Sequence, residues 1–287
     1  MNLVNKLNQH VLFRKGKDFA QQLPRAVKRM QARASDFKTF PPILVNSFPK
    51  SGTHLLIQIA EALPNTKDYG TFWASMPSYT FRVRSIPAMI SALHKVVPGE
   101  LVSAHLFYDA EFAKALASKN TIHYFIYRDP RDIVISEAHY LASMTRWHRL
   151  HPYFKSLPST EAKISLAING SSNIPYDYPD IGQRFKRYIG WLKEPTVLAL
   201  KFEDLVSEKR KNSVARIIDF YCHYSAQDPK GLLQRALDNI DPYRSHTFRQ
   251  GKSGGWRNTL TETHKEQIKI VAGQLLVDLG YENDLNW

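Results

Sequence analysis

The apolar run Ile43-Leu44-Val45 leads into Phe48-Pro49-Lys50-Ser51-Gly52-Thr53-His54, and an amphipathic stretch follows over residues 55–63. That order predicts a buried strand, a tight turn and a helix, a unit that makes an anion site largely from backbone. N–H groups at the start of a helix lack intrahelical acceptors, and the helix dipole favours negative charge beside them. Gly52 allows the chain to approach a ligand closely, and Lys50 adds a mobile cation. The common nucleotide-triphosphate loop sets two glycines five residues apart ahead of Lys-Ser/Thr. Here Lys50-Ser51 precedes the single glycine, and Pro49 stands where a flexible residue is expected. The plain alternative is an ordinary strand–turn–helix corner carrying an exposed lysine.

Composition sets the frame for that turn. The chain has 287 residues, 43% of them hydrophobic and 12% aromatic, enough for a sizeable core and too apolar for general disorder. Its single cysteine, Cys222, excludes an internal disulfide and a cysteine-based metal cluster, and it fits a reducing, cytoplasmic compartment. No apolar run reaches the length of a membrane span, and the N-terminus lacks the apolar core and small-residue site of a secretory leader.

The net charge is +13, and residues 1–40 hold nine Lys/Arg against Asp18 and Asp36. This basic N-terminal arm is expected to be helical. Leu3, Val4, Leu7 and Val11 share one face, as do Leu23, Val27 and Met30. The favoured expectation is that this stripe packs on the rest of the chain, residues 41–287, read as one domain. The alternatives are peripheral contact with an anionic membrane, or with an acidic polymer such as nucleic acid. No nucleic-acid-binding motif supports the last of these, and no nucleic-acid partner is expected.

Residues 43–48, 101–104, 122–127 and 196–200 read as buried strands. Helical periodicity occupies residues 55–63, 110–117, 132–141, 184–192, 213–221 and 262–279. Strands alternating with helices predict an α/β fold, a mostly parallel sheet with helices on both faces and ligands at the carboxyl ends of the strands. Residues 70–87 and 151–181, rich in proline and aromatics, read as irregular loops forming the walls of a pocket.

Two further segments suit anions. Arg128-Asp129-Pro130-Arg131-Asp132 follows the strand at 122–127, with Asp129 as a helix N-cap, Pro130 at the first helical position and Ser136 along the helix. Arg128 can grip a phosphate with its guanidinium fork and Ser136 can add a hydroxyl, although the arginines could instead pair with Asp129 and Asp132. Near the C-terminus, Arg249-Gln250-Gly251-Lys252-Ser253-Gly254-Gly255-Trp256 combines glycines with cations in a loop able to wrap an anion. The other reading is a solvated connector, which Trp256 argues against.

In this order the three segments resemble the sulfotransferases that use 3′-phosphoadenosine 5′-phosphosulfate (PAPS), in a bacterial-style variant. Pro49-Lys50-Ser51-Gly52-Thr53 is similar to their 5′-phosphosulfate loop, the spacing from Arg128 to Ser136 to their 3′-phosphate motif, and residues 249–256 to their late loop. Glu203-Asp204-Leu205 resembles a further family segment, with Phe202 in the place of a tyrosine. His105 falls where the family carries a catalytic histidine.

The resemblance implies a P-loop-type three-layer fold and metal-independent transfer of a sulfuryl group to an acceptor hydroxyl on a carbohydrate, a lipid headgroup or a small molecule. It implies catalysis by Lys50 and His105, with His54, His139 and His148 as rival bases. Donor contacts would come from Lys50, Ser51, Gly52, Thr53, His54, Leu55, Arg128, Ser136, Phe202, Arg249, Gln250 and Gly251.

The chain departs from the family pattern at Leu55, where a tryptophan often stacks on adenine. Gln250 stands in place of a lysine, and Gly255 in place of an aspartate. A small-molecule kinase on the same fold and a non-catalytic basic binding module are the competing readings. The kinase would need a magnesium-binding carboxylate after a second strand, and none is legible.

Overall fold

The structure, a computed structural model, describes residues 11–244 and 253–287. Five strands form one sheet: β1 (Ile43–Ser47), β2 (Lys67–Ala74), β3 (Glu100–His105), β4 (Ile122–Tyr127) and β5 (Val197–Lys201). Their order is β2-β3-β1-β4-β5, and every adjacent pair is parallel. Residues of β1 alternate between the faces. Leu44 joins a core with Phe48, Val102 and Phe125, while Ile43 and Val45 join another with Leu101, Ile122 and Tyr124. β1 is buried along its whole length, in keeping with its apolar run Ile43-Leu44-Val45, and its last residues, Asn46 and Ser47, are buried polar groups.

The longer helices cover both faces: α1 (Val11–Gln31), α2 (Thr53–Glu61), α3 (Ile86–Leu93), α4 (Ala110–Ser118), α5 (Pro130–His139), α6 (Thr160–Asn169), α7 (Arg210–Ser225), α8 (Leu232–Asp238) and α9 (Glu262–Asp278). The expected N-cap of α5 is present. The Asp129 side chain accepts a hydrogen bond from the Arg131 N–H, and Pro130 occupies the first turn.

Several expectations are corrected. Residues 67–74 form the edge strand β2, although 70–87 reads as a loop. The strand mixes Lys67, Asp68 and Gly70 with aromatics, and its register on β3 shifts between Asp68 and Phe72, so no clean alternation survives. Residues 151–181 hold a short helix (His151–Ser156) and α6. Pro152 sits at a helix start, where its missing N–H costs nothing, and Pro158 lies just before the Ser159 cap of α6. The pattern at 184–192 divides into Ile181–Lys186 and a tight turn, Ile189–Leu192.

The arm also differs from expectation. α1 docks through its polar side: Gln22 donates to the Tyr69 carbonyl at 3.1 Å, and Arg25 pairs with the buried carboxylate of Glu100 at 2.8 Å. Leu23 and Met30 are 75% and 81% exposed, and Val27 is exposed with them, so this part of the apolar stripe does not pack on the domain; Leu3, Val4 and Leu7 lie outside the described residues. The ion pair between Arg25 and the buried Glu100 carboxylate, with the Gln22 hydrogen bond, sets which side of the helix faces the domain.

His123 in β4 is buried edge-on against the Trp191 ring, centroids 4.6 Å apart. Burial holds its imidazole down to about 3, and burial likewise brings His148 down to about 4. An unfolded histidine titrates near ~6.5. Below that pH the unfolded chain binds protons that the folded chain excludes, so stability is present at neutral pH and is lost as pH falls. Denaturant midpoints should therefore drop between pH 7 and pH 5. His123→Leu should remove up to about 1.4 kcal/mol per pH unit from that slope, as measured by urea titration across the range.

Candidate active site

The turn after β1 is built by backbone geometry. Lys50 takes a left-handed conformation, φ 69°, costly for a side-chain-bearing residue, and Gly52 follows at φ 98°. Gly52 has no tolerated replacement: a Cβ there would sit 2.5 Å from the Phe202 ring. The Ser51 N–H closes the turn onto the Phe48 carbonyl at 3.2 Å, and the Ser51 hydroxyl is fully buried without a hydrogen-bond partner among the described residues. Thr53 opens α2, and its N–H points out of the helix end.

One cavity of about 980 Å³ gathers most of the expected residues: Lys50, Gly52, Thr53, His54, Leu55, His105, Arg128, Ser136 and Phe202 all line it. These come from the carboxyl ends of β1, β3, β4 and β5 and the helices that follow, as a parallel sheet dictates. Arg249, Gln250 and Gly251 lie outside the described residues. The nearby backbone of that late loop is anchored at the same end, because Asp132 accepts from the N–H groups of Gly254 (2.8 Å) and Trp256 (3.0 Å). Asp132 also pairs with Arg128 at 3.3 Å, and the Arg128 guanidinium lies 4.5 Å from the Phe202 ring centre. Arg131, by contrast, is structural. It bonds Asp129 and Glu282 and lies against the rings of Trp256 and Trp287.

A short polar chain connects the turn to His105. Its Nδ1 lies 3.1 Å from the Ser47 carbonyl and 3.0 Å from the Ser47 hydroxyl, whose oxygen is 2.6 Å from the Thr53 hydroxyl. A carbonyl oxygen only accepts, so Nδ1 carries the proton and Nε2 keeps the lone pair. Burial, reinforced by the His54 and Lys50 charges, brings the imidazole down to about 4 against the pull of the Ser47 carbonyl. At neutral pH this is an uncharged acceptor of protons. His139 is exposed and does not line the cavity. His148 lines its far end, where its Nδ1 accepts the Leu150 N–H at 3.2 Å. That bond occupies the Nδ1 lone pair and leaves His148 a hydrogen-bond donor through Nε2.

Several site residues were not foreseen. Tyr140, one turn beyond Ser136, lies under Lys50 with the ammonium 3.9 Å from its ring centre. The i, i+4 spacing from Ser136 is the signal that could have found it. Ser47 is visible only through its contact with His105. Leu237 and Ile240, from and just beyond α8, join Leu55, Val206 and Arg210 around the end nearest Phe202. Apolar surface is thus present there without a tryptophan at position 55. The opposite end is aromatic: Phe72, Phe81, Phe107 and Tyr188, with Arg187 paired to Asp177 at 2.7 Å.

Comparison with known proteins finds relatives along most of the chain. Flavonol 4′-sulfotransferase of Flaveria chlorifolia is 23% identical over 278 residues, covering 85% of this chain and 82% of its own. Sulfotransferase 6B1 of Danio rerio is 20% identical over 279 residues, covering 89% and 85%. Among solved structures, mouse sulfotransferase SULT7A1 complexed with PAP is similar with a TM-score of 0.57 at 18% identity, covering 89% of this chain and 93% of that one. A retinol dehydratase in a complex with retinol and PAP is similar with a TM-score of 0.54 at 16% identity, covering 85% of each. The family model described as the sulfotransferase domain matches residues 40–280, and the chain belongs to that family.

Proposed function

We propose that this sulfotransferase takes PAPS as its donor and transfers the sulfuryl group in line to an acceptor hydroxyl. The observation that carries the reading is the Thr53–Ser47–His105 chain, which couples an anion-binding turn to a neutral base within one cavity.

The residues then take these roles. The N–H groups at the start of α2 and the Thr53 hydroxyl hold the 5′-phosphate. Arg128 and Ser136 bind the 3′-phosphate, together with Arg249, Gln250 and Gly251 of the late loop. Phe202, Leu55 and the α8 side chains enclose the adenine. His105 Nε2 removes the acceptor proton as the acceptor oxygen bonds to sulfur. The bond from sulfur to the bridging phosphate oxygen breaks at the same time, and Lys50 neutralises the charge that develops on that oxygen. The acceptor lies against Phe72, Phe81 and Phe107. The exposed face of α1 supports a cytoplasmic enzyme that touches a membrane peripherally.

Direct binding separates this reading from a kinase. PAPS should bind without magnesium, and magnesium-dependent ATP binding in its place would reassign the chain. Lys50→Ala should lower kcat by about 10²–10³-fold, and near-normal turnover would remove Lys50 from the reaction. His105→Ala should lower kcat by about 10²–10⁴-fold while PAP affinity stays close to that of the unaltered enzyme; lost donor affinity would mark His105 as structural. Leu23→Ser with Met30→Ser should leave transfer to a soluble acceptor intact, which a binding module acting through the arm would not.

A further inference from the structure

Two segments frame the aromatic end of the cavity. One supplies Met76, Ser78 and Phe81, the other His148 and Leu150. Arg149 ties them together: its backbone N–H donates to the Ser78 carbonyl at 3.0 Å and its Nε to the Tyr79 carbonyl at 2.8 Å. The Phe81 ring meets His148 edge-on, 5.7 Å between centroids. The rim is therefore a joined, ordered structure.

Its outward residues have an unusual composition. Trp147 is 84% exposed, Val83 60% and Tyr79 59%, and Met144 is exposed beside them in sequence. Arg82, Arg146 and Arg149 are exposed among these side chains, and Arg84 is half-buried. Residues 76–84 and 144–150 contain no Asp or Glu. None of the ion pairs among the described residues uses these four arginines. A lone exposed apolar residue is ordinary, whereas an indole, a phenol and two aliphatic side chains on one rim mark a contact surface.

We propose that this rim seats in the interfacial layer of an anionic lipid bilayer, and that the acceptor is an amphiphile whose hydroxyl-bearing headgroup enters the cavity from that layer. The argument is one of matched chemistry. Indole and phenol rings settle at headgroup depth, and arginines draw anionic headgroups. An acidic polymer would use the arginines but would gain little from Trp147, Val83 and Met144. α1 provides a second surface of the same kind and docks on β2, whose far end contributes Phe72 and Ala74 to the cavity. The proposal names the acceptor of the sulfuryl-transfer site and rests on that reading.

Sedimentation of the full chain with vesicles tests it. Vesicles of phosphatidylcholine mixed equally with phosphatidylglycerol should bind the protein, less so as salt rises, and vesicles of phosphatidylcholine alone should bind it weakly. Trp147→Ser, and separately Arg82→Glu with Arg146→Glu, should each weaken vesicle binding by about tenfold. None of these residues lines the cavity, so PAP affinity should stay within about twofold of the unaltered protein, which also reports intact folding. Unchanged vesicle binding in both variants overturns the proposal. Loss with the arginine reversals but not with Trp147→Ser points to an acidic polymer and overturns it as well. Loss only with Leu23→Ser and Met30→Ser would assign the contact to α1 alone and refute the rim. If the unaltered protein fails to bind PAP, the donor reading falls, and the vesicle result still judges the surface.

Discussion

A single buried carboxylate, Asp132, holds together the end of the molecule where the donor is proposed to bind. It faces Arg128 from its own helix and receives the Gly254 and Trp256 N–H groups from a segment more than a hundred residues away. Next to it, Arg131 bonds two carboxylates, Asp129 and Glu282, and lies against two indoles. A buried guanidinium is stable only when its donors are met, and here Asp129, two residues before it, and Glu282, near the C-terminus, meet them. The C-terminal residues thereby become part of the wall around the proposed donor site. Glu203 extends the knot: it accepts the Asp129 N–H and the Tyr281 hydroxyl, which brings β5 and the end of α9 into the same network.

Charge in the cavity is managed differently at its two ends. Toward Phe202, Lys50 and Arg128 rest on aromatic rings, those of Tyr140 and Phe202. At the aromatic end, Arg184 and Arg187 are paired with Glu137 and Asp177. The two histidines of that region are both held neutral by burial but present opposite faces. His105 offers a lone pair, fixed by the Ser47 carbonyl, and His148 a donor, fixed by the Leu150 N–H. The same imidazole thus serves two purposes according to which backbone group it meets.

Much of this was legible in the residues. β1 and β4 are buried on both faces, so their apolar runs announce them, and Asp129-Pro130 announces the start of α5 because capping is local chemistry. Trp256 spoke against a solvated connector, and its ring is buried against Arg131. β2 was illegible because an edge strand with a register shift keeps no alternating pattern. The α1 stripe misled because amphipathicity says which face is apolar but not whether a groove exists to receive it. Ser51 belonged to the recognised motif, yet its N–H is spent inside the turn.

The sequence by itself determined the strand–turn–helix unit, the parallel α/β architecture and the cations available to meet an anion, since periodicity, glycine placement and caps act over a few residues. Tertiary structure alone decided which of those cations line the cavity, which histidine is buried there with its Nδ1 on a backbone carbonyl, and which face of α1 remains bare. The physical reason is that ion pairing, desolvation and tautomer depend on neighbours brought in from distant parts of the chain. Glu282 meets Arg131 across 151 positions, and Ser47 meets His105 across 58.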